Sequence, residues 1–139
     1  MMVKTEKINL STKGNADIQD ITDQVSNAVQ GSGLQDGVVT VFTPSSTSGL
    51  TTIEYESGCL SDLRRLFDEI VDPERHYAHN ARWGDGNGHS HVRAALLGAS
   101  FTVPFVNHKL TLGTWQQIIF IDFDNRQRRR ELVIQIMGE

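Results

Sequence analysis

A single cysteine, Cys59, stands in 139 residues. No intramolecular disulfide can form, so the chain does not read as a secreted, stapled scaffold. Cys59 falls in a helix-like apolar pattern, where a small buried hydrophobe is expected rather than a nucleophile. No apolar run approaches the ~20 residues of a membrane span. The opening residues, MMVKTEKINLST, lack the apolar core of a signal peptide. No membrane partner is expected, and the cytoplasm is the expected compartment. The chain also lacks a basic excess. Its net charge of -4 argues against a general nucleic-acid binder, which must neutralise phosphates. The one basic run, Arg128 to Arg130, reads as a solvated face.

What is present fits one globular domain spanning residues 1–139. Hydrophobic residues make up 38% and charged residues 22%, a balance that supports a core rather than disorder. Alternation predicts a strand over residues 2–10. Ile21, Val25, Ala28 and Val29 recur at helical spacing until Gly31 and Gly33. Residues 37–43 are β-branched and aromatic, and Pro44 ends that strand. A strand over 50–56 follows. Leu60, Leu63, Phe67 and Ile70 then share a helix face, closed by Pro73. Residues 74–88 read as a long polar loop, and long loops in compact domains carry function. A short helix from Ser90 to Leu97 is expected, then strands over 99–106, 109–112, 116–123 and 130–137, with a turn at Asp124 and Asn125. This order predicts an α+β domain with a largely antiparallel β-sheet core and two or three helices.

Four of the five histidines fall between residues 76 and 91. His79, His89 and His91 form a cluster in and beside the glycine-bearing loop. Imidazole suits zinc, copper, nickel and iron, and three histidines plus water make an open catalytic site. A hydrogen-bonded polar cluster without metal is the competing reading. Residues two apart on a regular helix point about 200° away from each other. His89 and His91 can therefore share an ion only if His89 precedes the helix or the segment is extended. His76 and His108 read as surface residues. The turn Ser45 to Gly49 follows a strand, and its hydroxyls and N–H groups could hold an anion or form an ordinary polar turn. Glu54 and Glu56 share one side of a strand. One could serve as a general base, or both could face solvent. The segment GTWQQ, from Gly113 to Gln117, says little alone.

Together the runs DGNGHSHVRAALLGAS, FTVPF, LTLGTWQQIIFIDFD and QIMGE resemble the YjbQ-like family, whose members are often labelled secondary thiamine-phosphate synthase. The resemblance covers nearly the whole chain in order. It implies a compact α+β domain, a homotrimer and a histidine-lined cleft near the subunit contact that can hold a metal. It also implies a weak thiamine-phosphate synthase activity. Tyr77 and His79 match the family's Tyr-x-His, and His91 and Arg93 match the histidine and basic residue of the following helix. Glu54 matches a glutamate, and Trp115 and Gln116 match GTWQ. One departure stands out. Many members carry a histidine where this chain has Ser45, and His89 is expected to take its place.

The resulting expectation is a metal-dependent enzyme acting on a small phosphorylated or anionic metabolite. His79, His89 and His91 hold a divalent ion, zinc by preference. Ser46, Thr47 and Arg93, with Trp115 and Gln116, bind the substrate, and Glu54 moves protons. A non-catalytic trimer that binds a metal or small anion is the alternative, and a structural oligomer with a hydrogen-bonded histidine interface is the third reading.

Overall fold

The computed structural model describes all 139 residues as twelve elements. In chain order they are β1 (Met2–Thr12), β2 (Asp17–Asp20), α1 (Thr22–Ser32), β3 (Gly37–Phe42), β4 (Ser48–Ile53) and α2 (Ser57–Ile70). Then come α3 (Ala78–Trp83), α4 (Gly88–Leu97), β5 (Ser100–Val106), β6 (Lys109–Leu110), β7 (Gln117–Asp122) and β8 (Arg128–Gly138). The α+β class holds, and every strand pair is antiparallel. One sheet has the order β1-β8-β3-β5-β6 and the other β2-β7-β4. No helix is long and apolar enough to cross a membrane.

The central strand β7 explains the layering. Its apolar run is continuous, as expected for a strand buried on both faces. Because side chains alternate, Ile118 and Phe120 enter the main core with Val39, Val41, Ile134 and Ile136 of the larger sheet and Val25 and Val29 of α1. Ile119 and Ile121 point the other way, joining Phe123, Phe67 of α2 and Ala94 of α4 in a second core. The smaller sheet is thus a middle layer. The larger sheet and α1 lie on one side of it, and α2 and α4 on the other.

Several expectations about elements needed correction. β2 is too short to show a period, and it exists because its residues pair with Ile119 to Asp122 of β7. The polar loop at 74–88 contains α3, so the helices number four. β4 ends at Ile53 because Glu56 becomes the N-cap of α2: its carboxylate accepts the Gly58 and Cys59 N–H groups. Cys59 therefore sits half-buried in the first turn of that helix, at the edge of the core. The run Arg128 to Arg130 is not a uniformly solvated face. Arg129 is exposed, but Arg130 is only 14% exposed and pairs with the fully buried Asp122.

Candidate functional site

The site is organised around α4. Gly88 opens the helix with its N–H donated to Asn80 Oδ1 at 2.8 Å. A Cβ at Gly88 would lie 2.6 Å from Tyr77 Cβ, so only glycine lets α4 start this close to the segment leading into α3. At the other end, a Cβ on Gly49 would meet Leu97 and the Gly98 carbonyl, and this close approach docks α4 on β4. Buried Asp124 braces the start of α4, and buried Asp122 stands beside it. Asp124, 1% exposed, accepts from Asn87 Nδ2 at 3.3 Å, Thr47 Oγ1 at 3.3 Å and Arg128 Nε at 2.9 Å. Burial pushes its carboxyl upward, but the Asn125 N–H, Asn87 and Arg128 outweigh burial and hold it below the ordinary value. Asp122 accepts from Arg130 through two hydrogen bonds, and Arg130 also donates to Thr47 Oγ1 at 2.8 Å.

α4 begins at Gly88, so His89 and His91 both lie in regular helix and diverge. His91 turns toward the serine turn. With Ser45, Ser46, Ser48, Ala94 and Ala95 it lines a cleft of about 420 Å³. His79, in the first turn of α3, comes to meet it: the two rings are 4.5 Å apart, centroid to centroid, and tilted by 46°. Nδ1 of His79 lies 3.3 Å from an Asp85 carboxylate oxygen, within ion-pair range but not aligned for a hydrogen bond. His89 turns the other way and is buried at 6% exposure. It lines a separate cleft of about 210 Å³ with Arg93, Arg64 and Asp68. Burial first, then the Arg93 guanidinium, holds His89 below the ordinary histidine value. The structure thus brings two of the three histidines together, and His89 does not stand in at the place of Ser45.

Within one chain, the histidines that could hold a divalent ion are His79 and His91, whose rings face one another at 4.5 Å. No third histidine, cysteine, aspartate or glutamate atom converges on them. The one group of three such donors within 4.8 Å of one another is Glu54, Glu56 and Cys59. There Glu56 is committed to capping α2, and burial followed by the Glu56 and Glu54 charges raises the Cys59 thiol, away from a reactive thiolate.

The remaining candidates divide. Ser46 is exposed at the serine-lined cleft, whereas Thr47 is 5% exposed and its hydroxyl is held by Arg130 and Asp124. Arg93 belongs to the His89 cleft. Glu54, Trp115 and Gln116 sit at the far end of the smaller sheet. β4 runs from Ser48, opposite Asp122, to Ile53, opposite Gln117, and the Tyr55 N–H binds Gln117 Oε1 at 2.9 Å. Trp115 is 70% exposed there. Asp85, Arg64 and Asp68 escaped sequence reasoning. Asp85 follows His79 by six residues in a polar segment, a usable signal, while Arg64 and Asp68 look like any solvated helix surface.

These features define a two-sheet α+β protein with a paired-histidine cleft, and comparison with known proteins places it. The profile described as "UPF0047 protein YjbQ-like" matches residues 6–139, and the chain belongs to that family. It is 41% identical over 130 residues to a UPF0047 protein of Methanothermobacter thermautotrophicus, covering 94% of this chain and 90% of that one. It is 33% identical to the UPF0047 protein YugU of Bacillus subtilis, covering 99% and 100%. Its fold superposes with a TM-score of 0.94 on a crystal structure from Sulfolobus solfataricus P2, described as a YbjQ-like protein of unknown function, at 34% identity and 99% coverage of both chains.

Proposed function

We propose that this chain is a metal-assisted enzyme acting on a small phosphorylated or otherwise anionic metabolite in the cleft between α4 and the serine turn. The observation that carries this reading is the pairing of the His79 and His91 rings at 4.5 Å, with His91 on the cleft wall. Two imidazoles suit zinc better than magnesium, which prefers carboxylates and water. Asp85 places a carboxylate 3.3 Å from His79 Nδ1, within ion-pair range of that ring. A zinc-type ion, when bound, polarises an anionic oxygen and lowers the pKa of water. Ser45 and Ser46 supply hydroxyls for the anionic group.

Within this class, the narrower reading is the thiamine-phosphate synthase activity implied by resemblance. That reaction joins a pyrimidine diphosphate to a thiazole phosphate and releases pyrophosphate. A two-imidazole donor set suits hydrolysis of a phosphorylated substrate better than pyrophosphate chemistry.

The proposal includes a homotrimer. The outer face of the larger sheet exposes Val38, Phe42, Val106 and Met137, an apolar strip that supports assembly. In this reading the site is shared, and Glu54, Trp115 and Gln116, which do not reach the cleft in their own chain, serve the cleft of a neighbouring copy. The test has three parts. Elemental analysis of protein purified without added metal is expected to find a divalent ion. Turnover of a panel of phosphorylated substrates, the pyrimidine–thiazole pair included, is expected to stop with chelator. Mixing inactive His91→Ala and Glu54→Gln chains is expected to restore activity. Metal-free protein, or turnover indifferent to chelator, would overturn the reading. Metal bound without turnover would favour the non-catalytic binding protein.

A further inference from the structure

We propose that the cleft on the His89 side of α4 is a second ligand site, which takes a small oxyanion of the carboxylate or phosphate class. His89 and Arg93 are one turn apart on α4, share a face, and are only 6% and 4% exposed. Opposite them stand Arg64 and Asp68, one turn apart on α2. Both guanidiniums are held in place by main-chain carbonyls. Arg93 Nε and Nη2 donate to the Val71 carbonyl at 3.2 and 2.9 Å, and Arg64 Nε donates to the Ala16 carbonyl at 3.0 Å. An arginine carries five N–H donors, so donors remain on both for a ligand.

The cleft walls carry more positive than negative charge. Two guanidiniums face a single carboxylate, Asp68, whose contact with Arg93 is 3.0 Å long and whose side chain is 65% exposed. Asp68 can therefore swing outward when another anion competes. The fixed planar forks match the geometry of carboxylate and phosphate oxygens. His89 adds a buried ring nitrogen, Nδ1, that has no partner in the protein, and such groups mark a place for a bound partner or water. At about 210 Å³ the cleft has room for a small oxyanion. The site shares no side chain with the His79–His91 pair, so it stands or falls independently of the metal-assisted reading.

The experiment is an NMR titration of the histidine ring resonances in the whole protein, with inorganic phosphate in one arm and acetate in another, at matched ionic strength in chloride. We expect saturable shifts at His89 in at least one arm, with an affinity of their own that does not follow any shift at His79 and His91. Phosphate alone would identify a phosphate site, acetate alone a carboxylate site. Arg64→Gln, a change at an exposed side chain, is expected to weaken that binding about tenfold, the loss of a charge-assisted hydrogen bond. The absence of saturable shifts at His89 in both arms would overturn the proposal. So would unchanged affinity at His89 in folded Arg64→Gln.

Discussion

Replacing Asp122 with alanine should cost this protein about 3 kcal/mol, although Asp122 touches no ligand. The Asp122 carboxylate is fully buried and accepts four hydrogen bonds. They come from Thr12 Oγ1 at 2.6 Å, Arg130 Nε at 2.8 Å, Arg130 Nη2 at 3.0 Å and the Asp124 N–H at 3.0 Å. Truncation strands the Arg130 guanidinium, which is 14% exposed and sits 3.6 Å from the nearest other carboxylate, on Asp124. Removing one partner of a buried pair typically costs about 3–5 kcal/mol. The slight exposure of Arg130 and its second aspartate put this case at the lower end. In a domain of this size, about 3 kcal/mol corresponds to a fall in Tm of roughly 10 °C. Urea unfolding followed by circular dichroism measures the loss directly. Arg130→Met should cost a comparable amount, because it leaves Asp122 buried and unpaired. The double variant Asp122→Leu with Arg130→Met should recover most of either loss, since no charge is then stranded. A single-variant cost below about 1 kcal/mol, the size found for exposed pairs, would refute the reasoning.

Three further outcomes are expected. Asp124 is held below its ordinary value in the folded protein, so its contribution to stability is complete above about pH 4 and is lost as pH falls through the lowered value. Urea midpoints measured from pH 6 to pH 2 should show this slope, and Asp124→Asn should flatten it. Metal affinity, read by competition with a colorimetric chelator, should fall by an order of magnitude or more in His79→Ala and His91→Ala. It should change little in His89→Ala, His76→Ala and His108→Ala. Gly88→Ala should destabilise by about 1–3 kcal/mol in thermal unfolding, because its new methyl meets Tyr77 Cβ at 2.6 Å. Unchanged stability would mean that α3 and α4 are not as tightly apposed as described.

Long periodic elements were legible from residues alone. β1, β3, α1, α2 and β8 carry enough side chains for alternation or helical spacing to register, and glycine and proline mark several of their ends. β2 was not legible, because four residues show no period and its existence depends on pairing with distant β7. The site was half legible. Residue types identified the histidines and the serine turn, and the family resemblance named most of the rest. What sequence could not supply was direction. Starting α4 at Gly88 instead of Ser90 puts His89 inside regular helix and sends it away from His91. Likewise Thr47 resembles its serine neighbours in composition, but buried Arg130 and Asp124 capture its hydroxyl. The basic run at Arg128 to Arg130 misled for the same reason, since its partners lie upstream, where an acid at the end of an apolar strand looks like a simple stop.

The strand that joins the two cores also carries a hazard. The segment from Gln117 to Asp122 is six residues of high β-propensity, apolar in the middle, without proline or glycine. Segments of this kind stack readily with copies of themselves when released. In the folded chain β7 lies between β2 and β4, so neither of its edges is open. β1 and β8, the two ends of the chain, must meet over long sequence separations before the larger sheet closes, and such contacts form slowly. While they form, the aspartates at 122 and 124 act as charged gatekeepers beside the apolar run. The carboxylate of Asp124, which later anchors the start of α4, would then first act with Asp122 to keep nascent chains apart, and neutralising the two by mutation should raise aggregation during refolding even where the folded state survives.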